Sequence, residues 1–116
     1  MRSDIIFKSN NFSLVDKWGR YDIGDSDYAN SYGISLYIDF SDIGEEDGEI
    51  RFAYHDVKME IQERELTSFE VPHYTRLLVE AVEFIGKVKG YLAGLGLIRE
   101  RDLCKWKDYG LYSDDD

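Results

Sequence analysis

Gly33-Ile34-Ser35-Leu36-Tyr37-Ile38-Asp39-Phe40, answered downstream by Ile50-Arg51-Phe52-Ala53-Tyr54-His55-Asp56-Val57-Lys58-Met59-Glu60-Ile61, is the stretch that decides the fold. In the first segment Ile34, Leu36, Ile38 and Phe40 alternate with Ser35, Tyr37 and Asp39, the period of two that marks a half-buried β-strand. After a polar turn over Ser41–Gly48, alternation resumes at Ile50, Phe52 and Tyr54 and then shifts phase to Val57, Met59 and Ile61. Two structures restore a single apolar face. A hairpin with a two-residue loop at His55-Asp56 sets Tyr54 against Val57, Phe52 against Met59 and Ile50 against Ile61. A β-bulge at the same point does so within one long strand. His-Asp lacks the glycine that a type I′ turn favours, and both readings stand at this level.

Working outward, Ile5–Lys8 and Phe12–Val15 are short apolar runs around the turn residues Ser9-Asn10-Asn11, which predicts a small hairpin. On the C-terminal side the period changes. From Pro72, suited to a first helical position, apolar residues recur as Tyr74, Leu77, Leu78, Ala81, Ile85, Val88 and Leu92. This is an amphipathic helix, with Glu83 and Lys87 four apart on its wet side and Gly96 as a stop. Gly86, Gly90 and Gly94 line up four apart; close backbone packing is the preferred explanation and a helix end near Gly90 the alternative. Arg99–Lys107, carrying Leu103, Cys104 and Trp106, predicts a second short helix. The expected fold is α+β. An antiparallel sheet of about four to five strands from the N-terminal two thirds is covered by the long C-terminal helix plus the short terminal one. Residues 1–110 form a single domain and residues 111–116 a flexible acidic tail.

With 43% apolar and 15% aromatic residues, the chain has too much packing material for a disordered acidic segment. Its lone Cys104 allows no internal disulfide, and Met-Arg-Ser-Asp at the start has no apolar signal core, so a cytoplasmic location is expected. The glycine-broken run Tyr91–Ile98 is too short to cross a bilayer, which needs about 20 apolar residues.

Charge is the most uneven property of the chain. Residues 21–60 hold eleven of the 24 carboxylates and only two cations, Arg51 and Lys58, within a molecule of net charge −10. Such a field repels nucleic acid and anionic membranes and attracts cationic protein surfaces or metal ions. The candidate partner-binding residues are the acids Asp22, Asp25, Asp27, Asp39, Asp42, Glu45, Glu46, Asp47 and Glu49, with Tyr28, Tyr32 and Tyr37 interleaved. Aromatic anchors rimmed by charge are the make-up of protein-binding hot spots. Alternate residues on a strand face stand about 6.6–6.8 Å apart, and Asp25/Asp27 and Glu45/Asp47/Glu49 have that step, so a row of carboxylates imitating DNA phosphates is physically available. The competing reading is that solvated acids only keep a small domain soluble.

Metal and catalytic motifs are wanting. Counted from Asp25, a calcium loop would need glycine and glutamate where Asn30 and Leu36 stand, and His55, His73 and Cys104 lack zinc spacing. No nucleophile has a flanking signature, and Gly94-Leu95-Gly96 has no lysine after it and sits at a helix end. No catalytic residue, metal ligand or cofactor is therefore expected. The leading functional reading is a small acidic non-enzymatic inhibitor of a basic, nucleic-acid-binding protein. In composition alone it resembles phage anti-restriction and anti-CRISPR proteins. An immunity protein neutralising a nuclease toxin would use the same surface chemistry. A different class, a small-ligand binder or enzyme, would need a pocket between sheet and helix lined by Tyr54, Tyr74 and Tyr91. A further reading is self-association as a homodimer or assembly component through the Gly86/Gly90/Gly94 face.

Overall fold

The computed structural model describes residues 4–46 and 48–98. Its elements run β1 (Asp4–Lys8), β2 (Phe12–Lys17), β3 (Arg20–Asp25), α1 (Asp27–Ser31), β4 (Ile34–Glu46), β5 (Glu49–Ile61) and α2 (Val71–Gly94). The class is α+β with antiparallel pairing, but the strands form two sheets, β1-β2-β3 and β4-β5, where one was expected. The short helix expected over Arg99–Lys107, Cys104 within it, and the tail 111–116 lie outside the described residues.

The β1–β2 hairpin stands where the sequence places it, closed by Ser9 N–H donating to the Phe12 carbonyl at 2.8 Å. β3 follows a two-residue turn at Trp18-Gly19, both at positive φ (56° and 90°) between the paired Lys17 and Arg20, the geometry of a type I′ connection. Asp16 accepts from the Gly19 N–H at 2.8 Å and holds that turn.

The phase shift in β5 is a bulge. Asp39 pairs with Asp56 and Phe40 with Tyr54, so His55 is the extra residue and no hairpin forms there. Pairing continues to Glu46↔Glu49, so strand takes up most of the segment expected as a loop over Ser41–Gly48, a correction to that reading. Gly48 lies at φ 81°. The Asp47-Gly48 dipeptide is a strong hairpin signal, masked here by the acids around it.

The two sheets meet through side chains. At the β3–β4 junction Asp25 accepts from the Leu36 N–H (3.1 Å), and the Tyr54 hydroxyl accepts from the Tyr21 N–H (3.1 Å). These bonds satisfy backbone donors that a continuous ladder would otherwise pair. Between β3 and β4 sits α1, its first turn capped by the Ser26 hydroxyl, which accepts from Ala29 N–H at 3.0 Å. It ends at Gly33 (φ 76°), where an added Cβ would lie 2.8 Å from the Gln62 carbonyl.

α2 buries Leu77, Ala81, Phe84, Val88 and Leu92 against the sheets. Phe84, absent from the stripe read off the sequence, is central: its ring packs against Phe7 at 5.4 Å and Phe12 at 5.9 Å. Leu78 and Ile85 sit at the margin of this stripe. The helix passes Gly90 and closes after Gly94, with Leu97 N–H donating to the Leu92 carbonyl (2.9 Å) around Gly96 at φ 78°. Gly86, Gly90 and Gly94 make no close approach to the rest of the described chain, since a Cβ at any of them meets nothing within 4 Å. The expected close packing is thus corrected for intramolecular contacts.

Two substitutions rank these features. Phe84→Ala should cost about 3–5 kcal/mol of unfolding free energy in urea titrations. Gly33→Ala should cost more than about 1 kcal/mol, from positive φ and the Gln62 clash together. A neutral Gly33→Ala would contradict the described α1–β4 junction.

Candidate functional site

The acids predicted as one surface separate into three places. Asp22 and Asp25 lie on β3 and Asp27 begins α1; Asp39 lies mid-way along β4; Asp42, Glu45, Glu46 and Glu49 occupy the last register positions of the β4–β5 hairpin. Asp47 lies outside the described residues. Neither set with the expected phosphate-like step runs along one strand. Asp25 and Asp27 belong to different elements, and Glu45 and Glu49 to opposite strands, which are about 4.8 Å apart.

Within the body of the sheets the carboxylates have structural partners. Asp22 pairs with Arg20 at 2.7 Å, Asp39 with Lys58 at 3.3 Å and Asp56 with Lys89 at 3.7 Å. Burial pushes the Asp25 carboxyl above its ordinary range, although the Leu36 N–H bonded to it acts the other way. Asp27 is exposed in the first turn of α1, where a negative charge suits the helix dipole. The hairpin end differs. Residues 42–51 carry five acids and one cation, Arg51, and Glu46 stands directly across from Glu49. Like charges opposite one another destabilise a strand pair.

The three candidate tyrosines also separate. Tyr37 is exposed on the outer face of β4. Tyr28 is exposed on α1 with its edge on the Tyr32 ring at 5.2 Å, while Tyr32 itself is buried, stacked on Tyr74 at 5.9 Å under the Arg64 guanidinium. Tyr32 is thus a packing residue. The three tyrosines expected to line a pocket are not brought together. Tyr54 and Tyr91 both pack on Tyr21 (6.0 and 5.9 Å), and Tyr74 lies at the other end of α2.

Sequence reading missed a polar cluster where the β1–β2 turn meets α2. Glu80 accepts from the Ser9 hydroxyl, from the Asn11 N–H at 2.7 Å and from the Asn11 amide at 2.8 Å. Partial burial pushes this carboxyl up, but the hydrogen bonds from Asn11, Ser9 and the Asn10 backbone outweigh it and hold the group below its ordinary range. A concave region of about 620 Å³ opens beside it, lined also by Tyr28, His73 and Arg76. Because a guanidinium only donates, the 3.1 Å contact from Arg76 makes His73 Nδ1 an acceptor. The cluster is poorly suited to catalysis: Glu80 is a weak base with both oxygens engaged, so Ser9 is tethered rather than activated. A second missed signal is Thr67-x-x-Glu70, a reciprocal capping pair at the approach to α2, with Thr67 N–H donating to Glu70 at 3.0 Å and Glu70 N–H to the Thr67 hydroxyl at 3.3 Å.

Among the described residues no three His, Cys, Asp or Glu side chains gather as a metal site, and no helix is long and apolar enough to cross a membrane. No protein-family model, curated protein or solved structure matches the chain.

The Glu80 clamp has a pH signature. Its folded pKa lies below the unfolded value of about 4.3, so its contribution is complete above that value and is lost as pH falls through the folded pKa. Glu80→Gln should cost about 1–3 kcal/mol at pH 7 and flatten the acid limb of stability against pH. Equal acid sensitivity of the two proteins would show that Glu80 bears none of it.

Proposed function

We propose that this protein is a small non-enzymatic inhibitor that works by binding a basic surface of another protein, a nucleic-acid-binding one by charge, with the end of the β4–β5 hairpin as its leading edge. One observation carries the reading. The sheet body gives its facing acids, Asp39 and Asp56, a lysine each, whereas residues 42–51 carry five acids to one cation in sequence, and Glu46 and Glu49 are direct partners in the strand register. Strand pairing gains nothing from that arrangement. A cationic partner would turn the repulsion into attraction and would be steered toward it over roughly a Debye length, about 10 Å at 0.1 M salt.

Dispersal of the remaining acids favours local engagement by this hairpin end over a continuous carboxylate row copying a DNA strand. The packing of Tyr54 and Tyr91 on Tyr21 weighs against the small-ligand reading.

Tagged protein should recover one dominant basic protein from a lysate of its native cell at low salt and release it at high salt. Replacing Glu45, Asp47 and Glu49 together by Lys should abolish recovery while leaving the circular dichroism spectrum unchanged. Recovery that survives the triple substitution would remove the hairpin end from the interface. Binding indifferent to salt would move the anchor to exposed aromatics such as Trp18 and Tyr37.

A further inference from the structure

α2 carries an apolar face on the side turned away from the sheets. At 3.6 residues per turn, the buried Leu77, Ala81, Phe84, Val88 and Leu92 define its inner side. Thr75, Val79, Val82, Gly86, Gly90 and Ala93 fall opposite. Val79 and Val82 are 53% and 58% exposed, and among the described residues nothing lies within 4 Å of a Cβ added at the glycines. A helix covering a sheet in a two-layer domain ordinarily places its charges there. Here the charges Glu83 and Lys87 are displaced to one flank of the apolar row.

We propose that this face docks a second copy of the chain, α2 packing antiparallel on α2 about a two-fold axis at the level of Ile85. Such an axis brings each flank of the helix against the same flank of its mate. Glu83 and Lys87 lie two residues to either side of it, so Glu83 meets Lys87 of the partner subunit and Lys87 meets Glu83 of the partner subunit. A parallel pair would instead set this flank against the opposite flank of its mate and leave Glu83 and Lys87 without each other, so the charge pairing selects the antiparallel arrangement, which also opposes the helix dipoles favourably. In the same register Val82 falls between the partner's Gly86 and the partner's Gly90, a knob over positions without side chains, so the helix axes approach to about 8 Å, the lower end of the usual range. The apolar row, the glycine gaps and the flanking charges thus all fit one symmetric contact. It is independent of the hairpin reading, because it uses a different element.

One helix pair buries less than the roughly 1,200 Å² that divides weak from stable interfaces, so dissociation belongs between about 1 µM and about 1 mM. Sedimentation equilibrium on the full chain across that range should show a mass rising from that of the monomer toward twice that value. Glu83→Lys and Lys87→Glu should each weaken association about tenfold by creating two like-charge contacts, and the double reversal should restore it. Val82→Asp should abolish dimerisation with an unchanged circular dichroism spectrum, since the side chain it replaces is exposed. A wild-type chain that stays monomeric up to about 1 mM overturns the proposal, whether the face is bare or covered by something else. So does a dimer insensitive to Val82→Asp, or one whose charge reversals are not rescued by combination.

Discussion

One extra residue, His55, holds the architecture together. Side chains on a strand alternate faces, so the three-residue interval between Tyr54 and Val57 would put one of them in water unless the ladder absorbed a residue. The bulge opposite Asp39 and Phe40 does so, and both side chains are buried. Tyr54 then points inward, where its hydroxyl takes the Tyr21 N–H, and β3 is thereby joined to a sheet with which it shares no ladder. Phe40, paired with Tyr54, meets Phe52 edge-to-face and lies under the Arg20 guanidinium. Without the bulge this chain of contacts has no starting point.

The remaining constraints bring α2 onto this frame from two directions. Phe84 sets the helix against the aromatic residues of β1 and β2, and Glu80 gathers the β1–β2 turn through Ser9 and Asn11. A hydrophobic contact alone would leave the helix free to rotate by a fraction of a turn. The Glu80 bonds are directional and fix which stripe faces inward, and so which stripe, Val79 and Val82 included, faces out.

Elements with a strong period were legible in the sequence: β1 and β2, the core of β4, the two phases of β5, and α2 with its stop at Gly96. What escaped was decided by chemistry without periodicity. β3 was hidden because Asp22 and Asp25 read as surface acids, whereas the strand depends on the Trp18-Gly19 turn and on Asp25 turning toward Leu36. The hairpin end of β4–β5 read as a loop because its acids broke the alternation, although Asp47-Gly48 was a sufficient turn signal. Among site residues, exposure followed the alternation for Tyr37 but not for Tyr32, whose burial depends on α1 and on contacts with Tyr74 and Arg64 that lie far off in sequence. The Glu80 cluster joins positions some seventy residues apart, and no local pattern encodes it.

The proposed binding role rests on the same hairpin, because it needs the strand pair to continue past the bulge to Glu46 and Glu49. Nuclear Overhauser contacts across β4 and β5 test this most directly. The expected set runs from Ile34↔Ile61 through Asp39↔Asp56 and Phe40↔Tyr54 to Glu46↔Glu49, with His55 skipped on one strand and residue 43 on the other. Contacts of Tyr54 with Val57 and of Phe52 with Met59 across a turn at His55-Asp56 would contradict it, and would return residues 41–48 to a loop.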